Sequence, residues 1–505
     1  EQRRCEETKK IDTIDDMGIN RYSDEKKVIK AVKKLTKEKS KPTIYYADCE
    51  SFVSNVENHE LYLLGCVNDT EDWVSIYNVC DERFKEREDC KSEKLIINEW
   101  LKDMTNNGKN NAICYFHNLK YDYHLLEQYL NIKNRCEKDG QLYNVICKFK
   151  SKEIELRDSY KLLPFALSKF GDEFDLPQAI RKKEAISYEY YNRENNNKLC
   201  NVIDYSELLS KSDQSTFWKQ INNESSFDGN QTFNPLEYYK EYLRLDCLVL
   251  KKGIQKFNQL IQEITENKMN VYESLTISSL TDKYMKIEGA YKGVYEVQGN
   301  LRAYIAEAVY GGRVSVNEKY KKKIVEGKIS DYDGVSLYPS AINRLCRELG
   351  LPKGKAKRFT PNNSISNWKD KTYAILTVKI TKVNKIQQMP FIACKEKGSI
   401  KYINSVPQSP DGTLIPLIID SITLEDYIKF HKIEYELLEG IYWDEGGNNK
   451  MGEVIQRLFN ARLQAKKEGK KALSNTIKLM LNSSYGKTIM KKSKQEKVIV
   501  KTHKY

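Results

Sequence analysis

Residues 329–340 read Ile329-Ser-Asp-Tyr-Asp-Gly-Val-Ser-Leu-Tyr-Pro-Ser340, and the reading of the whole chain turns on them. The alternating apolar residues predict a short strand that ends at Asp333. A turn of small residues follows, then Ser336-Leu337-Tyr338-Pro339. This layout puts a carboxylate at a strand end, beside backbone N–H groups free to face a phosphate. Phosphoryl transfer with a divalent metal needs both. An ordinary strand and turn with a surface Asp has the same look, so the neighbouring segments must decide.

Downstream, Lys478-Leu-Met-Leu-Asn482-Ser-Ser-Tyr485-Gly486-Lys487 places Lys478, Asn482 and Tyr485 at i, i+4 and i+7. On a helix they share one face. A cation, an amide and an aromatic there suit a phosphate, a sugar or base edge, and base stacking. Gly486 is expected to end that helix. Arg462 and Lys466 share a face of the preceding helix and could reach the same phosphates. Upstream of Asp333, Tyr310-Gly311-Gly312-Arg313 offers two glycines for close backbone approach and two side chains for sugar or phosphate; a plain glycine turn is the alternative.

The first half carries its own carboxylates. Asp48 and Glu50 lie on the strand Tyr45–Val53, and the period of two puts both on one face, where hard oxygen ligands can hold a divalent cation. In Phe116-His-Asn118-Leu-Lys-Tyr121-Asp122, a helix would stack Asn118 and Asp122, and Asn118 could equally cap it. Tyr242 and Asp246 are again four apart on a predicted helix, Leu236–Thr265. Singly, each is more commonly a surface carboxylate.

In order and spacing these pieces resemble a known set. D-x-E on a strand, N-x-x-x-D opening a helix and Y-x-x-x-D on a later helix are similar to the three exonuclease motifs of proofreading family B DNA polymerases. Residues 329–340 resemble motif A of that family and residues 478–487 its motif B. The resemblance spans about residues 43–490, and it implies an RNase H-like 3′–5′ exonuclease domain followed by palm and fingers, an α/β plus α+β multidomain chain. It implies that Asp48, Glu50, Asp122 and Asp246 hold two Mg²⁺ or Mn²⁺ ions, and that Tyr242 positions the attacking water. Ser51, Asn118 and Tyr121 match positions that contact a single-stranded 3′ end. Asp333 would hold the polymerase metals, with the Gly334 carbonyl as a further ligand and amides around Val335–Leu337 for the triphosphate. Tyr338 matches the residue that excludes a 2′-hydroxyl, so the substrate would be a dNTP, bound also by Arg462, Lys466, Lys478, Asn482 and Tyr485. Tyr310, Gly311, Gly312, Arg313 and Gly486 match DNA-binding positions, although the family's Y-x-G-G linker between exonuclease and polymerase wants its tyrosine two places before the first glycine, where Val309 stands.

Further segments resemble the protein-primed branch of phages, adenoviruses, linear plasmids and transposons. Asp158-Ser159-Tyr160-Lys-Leu-Leu-Pro-Phe165 matches a segment whose Ser contacts single-stranded DNA, with Tyr160 in place of the usual Leu. Lys183-x-x-Ile186-x-Tyr188 matches one whose lysine assists the exonuclease; Lys182 fits equally well. His117 matches a position that touches a terminal priming protein. Leu351-Pro-Lys-Gly354 and Ile422-Thr-Leu-Glu-Asp-Tyr427 resemble the borders of that branch's insertion. The implied partners are primer-template DNA, single-stranded 3′ ends, dNTPs and a terminal protein, with the polymerase a monomer.

Composition agrees. The 505 residues carry a formal net charge of +13, and residues 451–505 hold fourteen Lys or Arg against three Glu, a basic segment suited to a polyanion. The twelve cysteines contain no C-x-x-C pair, which suggests neither zinc nor a disulfide framework and fits a reducing compartment. No apolar run approaches the ~20 residues of a membrane span, so none is expected. The branch resemblance implies an intracellular setting, with virus factory, mitochondrion and nucleus all open. The expected layout is a charged leader at 1–40, the exonuclease at 41–265, linker and first palm segment at 266–344, palm strands and insertion at 345–445, and fingers at 446–505. Residues 210–234 read as loop. The chain starts at Glu1 and has no Asp after Asp444. A fragment cut before motif C and the thumb is therefore expected, one that keeps nuclease but not polymerase activity. A stand-alone 3′–5′ nuclease and a non-catalytic nucleic-acid-binding remnant are the alternatives.

Overall fold

The structure, a computed structural model, describes residues 20–21, 41–55, 58–84, 91–181, 185–192, 194–195, 198–221, 231–314, 316, 320–334, 336–396 and 399–489. Apart from residues 20–21, the charged leader lies outside the described residues, as do Lys182, Lys183 and Val335. The chain divides into two compact units: Thr36–Tyr284 with Leu458–Tyr505, and Glu1–Leu35 with Met285–Arg457.

The first unit is built on a seven-stranded mixed sheet. Its strands are β1 (Thr43–Asn55), β2 (Asn58–Asn68), β3 (Ser75–Asn78), β4 (Ala112–Phe116), β5 (Ile132–Lys138), β6 (Gln141–Phe149) and β7 (Lys152–Asp158), in the order β3-β2-β1-β4-β7-β6-β5. The helix α1 (Ser92–Met104) carries the chain from β3 to β4. β4 runs parallel to both β1 and β7, and the remaining pairs are antiparallel. The β-branched and aromatic content of β1 suits a central strand, and Tyr46, Ala47, Cys49 and Phe52 are buried from both faces. After β4 comes the short helix α2 (Lys120–Leu126).

The helix α3 (Pro235–Ile264) lies on this sheet. Its start is defined by Asn234, whose Oδ1 accepts from the N–H groups of Leu236 and Glu237, and by Pro235 in the first turn. Leu236, Tyr239, Leu243 and Leu250 are among the buried residues of its apolar stripe. Gly65 of β2 lets it come close. A Cβ there would stand 2.8 Å from both Cys247 Sγ and Leu243 Cγ, so any larger residue would push α3 off the sheet. Gly65 is also the residue paired with Asp48, which brings the helix down beside that carboxylate.

The second unit holds α4 (Gly299–Glu307), α5 (Leu337–Glu348) and the strands β8 (Lys357–Arg358), β9 (Tyr373–Val383), β10 (Ile392–Glu396), β11 (Ser399–Ile403), β12 (Leu417–Asp420) and β13 (Ile433–Trp443). Four of these form an antiparallel sheet in the order β8-β13-β9-β12, and β10 and β11 pair as a hairpin. Alternate residues of β9 feed two cores: Leu376 and Val378 meet Trp368, Leu424 and Tyr427, while Ile375 meets Leu301, Ile441 and Trp443. The chain ends its described part with α6 (Lys450–Lys467) and α7 (Lys471–Ile489), joined through Gly469 at φ +72°. α7 packs against α3 in the first unit.

Three local expectations differ. Residues 329–334 form no strand, because no ladder among the described residues pairs with them; Ile329 and Tyr332 are exposed. The stretch expected as loop contains a helix, Lys211–Ile221, which buries Phe217, Gln220 and Ile221; its many polar residues hid the helical period. Gly486 lies inside α7 rather than ending it. Its exposed position costs the helix little packing, and no atom lies within 4 Å of where its Cβ would be.

Candidate active site

β1 and α3 bring three carboxylates together. One oxygen each from Asp48, Glu50 and Asp246 lie within 4.8 Å of one another. Asp122, in the first turn of α2, turns its Oδ1 to accept from the Cys49 N–H at 3.1 Å, between Asp48 and Glu50 in sequence. Burial pushes the Glu50 carboxyl up to about 8, opposed by a hydrogen bond from Tyr239 and reinforced by Asp246 and Asp122. Burial likewise pushes Asp122 up to about 8, and burial with the Asp122, Glu50 and Asp246 charges holds Asp48 well above the ordinary carboxylate range. Such crowded carboxylates cannot all ionise without a compensating cation. Their oxygens are the hard donors that Mg²⁺ and Mn²⁺ prefer, so the residues fit a divalent metal.

Tyrosines line the cluster. Tyr242 is largely buried, and its hydroxyl pairs with that of Tyr188 at 3.3 Å; burial and the Asp246 charge raise its pKa. Tyr239, which the sequence reading did not single out, donates from its hydroxyl to Glu50 Oε2 at 2.7 Å. The signal was present, since Tyr239, Tyr242 and Asp246 fall at i, i+3 and i+7 on α3.

Beside this cluster, Ser51 Oγ and the Tyr121 hydroxyl lie 2.6 Å apart, and both meet His59 Nδ1, at 3.2 and 3.0 Å. His59 is a second residue absent from the sequence reading. Asn118 precedes α2 instead of sharing its face with Asp122: it sits at φ +68°, exposed, with its N–H held by Asp158 Oδ1 at 2.9 Å. Ser159 is fully buried, its hydroxyl engaged with the Phe116 carbonyl and His117 Nδ1, while Tyr160 stands exposed beside it. The other His117 nitrogen, Nε2, donates to the Phe165 carbonyl, so both ring nitrogens are used inside the unit. Burial lowers this histidine to about 4, which keeps it neutral.

The remaining residues divide between the units. In the second unit, Asp333 and Tyr338 are exposed, and Ser336 turns the chain into α5 at φ +49°. A Cβ on Gly312 would lie 3.7 Å from the Tyr338 hydroxyl, so the glycine pair and this tyrosine are neighbours. Nothing lies within 4 Å of where a Cβ on Gly311 would stand. Tyr310 packs against the β9 core under Lys395 Nζ. The Arg313 guanidinium stacks 4.4 Å over Tyr402 and donates to the Pro390 carbonyl. In the first unit, Lys478 and Asn482 are exposed on α7 with Tyr485 half-buried, opposite the buried Ile477, Met480 and Leu481; Lys466 is exposed and Arg462 partly covered on α6.

A family model described as "DNA polymerase type B, organellar and viral" matches residues 103–505. The chain belongs to this family. The match takes in Asp122, Asp246, Asp333 and α7, and begins after the strand that carries Asp48 and Glu50. A curated relative, a DNA polymerase of Kluyveromyces lactis, is 25% identical over 399 residues, 74% of this chain. The chain spans 36% of that relative's length. Among solved structures, the fold is similar to Phi29 DNA polymerase in an orthorhombic crystal form (TM-score 0.58, 19% identity, 89% of this chain and 68% of that one). It is similar also to Phi29 DNA polymerase complexed with primer-template DNA and incoming nucleotides (TM-score 0.60, 19% identity, the same coverage) and with single-stranded DNA (TM-score 0.56, 19% identity, 88% and 67%).

Proposed function

We propose that the polymerase to which this chain's sequence belongs adds dNTPs to a DNA primer under template direction, and that this chain carries its 3′–5′ proofreading exonuclease in the unit built on β1–β7. The observation that carries the nuclease reading is the meeting of Asp48, Glu50 and Asp246, with Asp122 alongside, in a chain of this family. It is the one cluster of three potential metal ligands among the described residues. The central order β3-β2-β1-β4-β7 supports an RNase H-like domain. Primer-template DNA and single-stranded 3′ ends are the partners; a terminal priming protein is the further partner that this reading carries.

Asp48, Glu50, Asp122 and Asp246 would hold Mg²⁺ or Mn²⁺, which when bound supplies an activated water and charge stabilisation for the leaving 3′ oxygen. The protein's own part is to gather and orient. β1 and α3 fix the carboxylates on rigid elements. The Tyr242 hydroxyl orients the attacking water. Ser51 and Tyr121 present hydroxyls to the sugar-phosphate end of a single strand. In the other unit Asp333 and Tyr338 serve nucleotide addition; in the first unit the basic and aromatic stripe of α7 suits phosphate and base.

A 5′-labelled single strand with Mg²⁺ or Mn²⁺ tests the nuclease: stepwise shortening from the 3′ end is expected, and Asp48→Ala should abolish it. Wild-type protein that binds DNA tightly and never shortens it would make this a binding remnant instead. The polymerase half is tested in the full-length natural protein, where Asp333→Ala should stop primer extension and leave degradation intact.

A further inference from the structure

Tyr239 is wholly buried, and its hydroxyl spends its proton on Glu50 Oε2 at 2.7 Å. The ring has no freedom to take that proton elsewhere. Tyr191 stacks on it at 4.1 Å between centroids, with 29° between the planes, and Tyr62 lies 6.0 Å away. Tyr191 is itself tied down: its hydroxyl donates to the Pro235 carbonyl at 3.0 Å and lies 3.0 Å from the Tyr205 hydroxyl. A glutamate on a strand has three side-chain torsions, and its carboxylate can face many ways. Here the phenol pins one oxygen, Oε2, and so turns Oε1 away from Tyr239.

We propose that Tyr239 is a positioning residue for Glu50, selecting the one carboxylate orientation in which Glu50, Asp48 and Asp246 bind a divalent cation together. The proposal rests on the reading of this cluster as a metal site. Outer partners that orient a ligand typically change metal affinity by about 10–100-fold when removed. The phenol hydroxyl, rather than the aromatic packing, is what the proposal requires, so the ring and the hydroxyl must be separated experimentally.

Mn²⁺ binding to the protein without DNA, followed by calorimetry or by the Mn²⁺ electron-spin signal, makes that separation. Tyr239→Phe keeps the stacked ring and should weaken Mn²⁺ binding about tenfold or more. Tyr205→Phe removes a hydroxyl of the same tyrosine group, one that accepts from the Ser187 N–H at 3.1 Å, and should leave Mn²⁺ affinity unchanged. If Tyr239 acts through Glu50, adding Tyr239→Phe to Glu50→Gln should change affinity by less than about twofold. That double variant has no charged carboxylate at position 50, and it serves also should Tyr239→Phe alone fail to fold. Wild-type affinity in Tyr239→Phe, or a full further loss in the double variant, overturns the positioning role while leaving the metal site standing. Mn²⁺ binding that does not respond to Asp48→Ala overturns the metal site itself, and this inference with it.

Discussion

Asp48 and Asp333 were both read as carboxylates on strands, and the fold treats them differently. Asp48 stands on an interior strand of a seven-stranded sheet, paired to Gly65 and crowded by Glu50, Asp122 and Asp246. Asp333 lies in an exposed stretch that pairs with no strand among the described residues, flanked by exposed Ile329 and Tyr332. A strand is a property of a pair. The alternation of residues in 329–333 is adequate for one, and what differs is the neighbour that would supply hydrogen bonds and cover. The first carboxylate can therefore be argued from geometry as well as sequence, the second from motif alone.

That contrast can be broken most forcefully by activity. Asp122→Asn keeps an oxygen to accept from the Cys49 N–H and removes only the charge; it should cut 3′ degradation by about 10²–10³-fold, as removal of one electrostatic stabiliser commonly does. Asp333→Asn should leave the same degradation unchanged. A comparable loss in both would mean that the two carboxylates serve one chemistry.

Stability sharpens it next. Leu64 on β2 is fully buried, and Leu64→Ala should cost about 2–5 kcal/mol in urea unfolding.

The pH dependence follows from the cluster. Glu50 and Asp122 keep their protons in the metal-free fold up to about 8, whereas the unfolded chain releases them near ~4. Stability of the metal-free protein should therefore fall as pH rises between those limits and level off above the upper one. Thermal melts in EDTA from pH 5 to 9 should show the fall. Mg²⁺ should raise the melting temperature most at the alkaline end, and Asp333→Asn should alter neither trend. A flat profile in EDTA would show that the carboxylates are already compensated.

The smallest effect belongs to the exposed stretch: Ile329→Ala should change stability by no more than ~0.5 kcal/mol.

Much of this was legible in the chain. The period of two in β1 and the stripe of α3 carried both elements and their carboxylates. The helix that bears Lys478, Asn482 and Tyr485 followed from local pattern. The helix at Lys211–Ile221 was not legible, because most of its residues are polar and only Phe217 and Ile221 of its apolar ones are buried. His59 was missed because nothing in the sequence joins it to Tyr121, whereas Tyr239 shared a helical face with Tyr242 and Asp246 and only its bond to Glu50 was hidden.

The sequence by itself determined β1 and α3, the family and the identity of the carboxylates, since period and motif are short-range properties of the chain. Only the tertiary structure decided which of them meet. Asp246 reaches Asp48 across nearly two hundred residues because Gly65 has no Cβ to hold α3 away, and Glu50 faces the cluster with a buried phenol behind it. Those facts depend on volume and packing between distant segments, which no local pattern encodes.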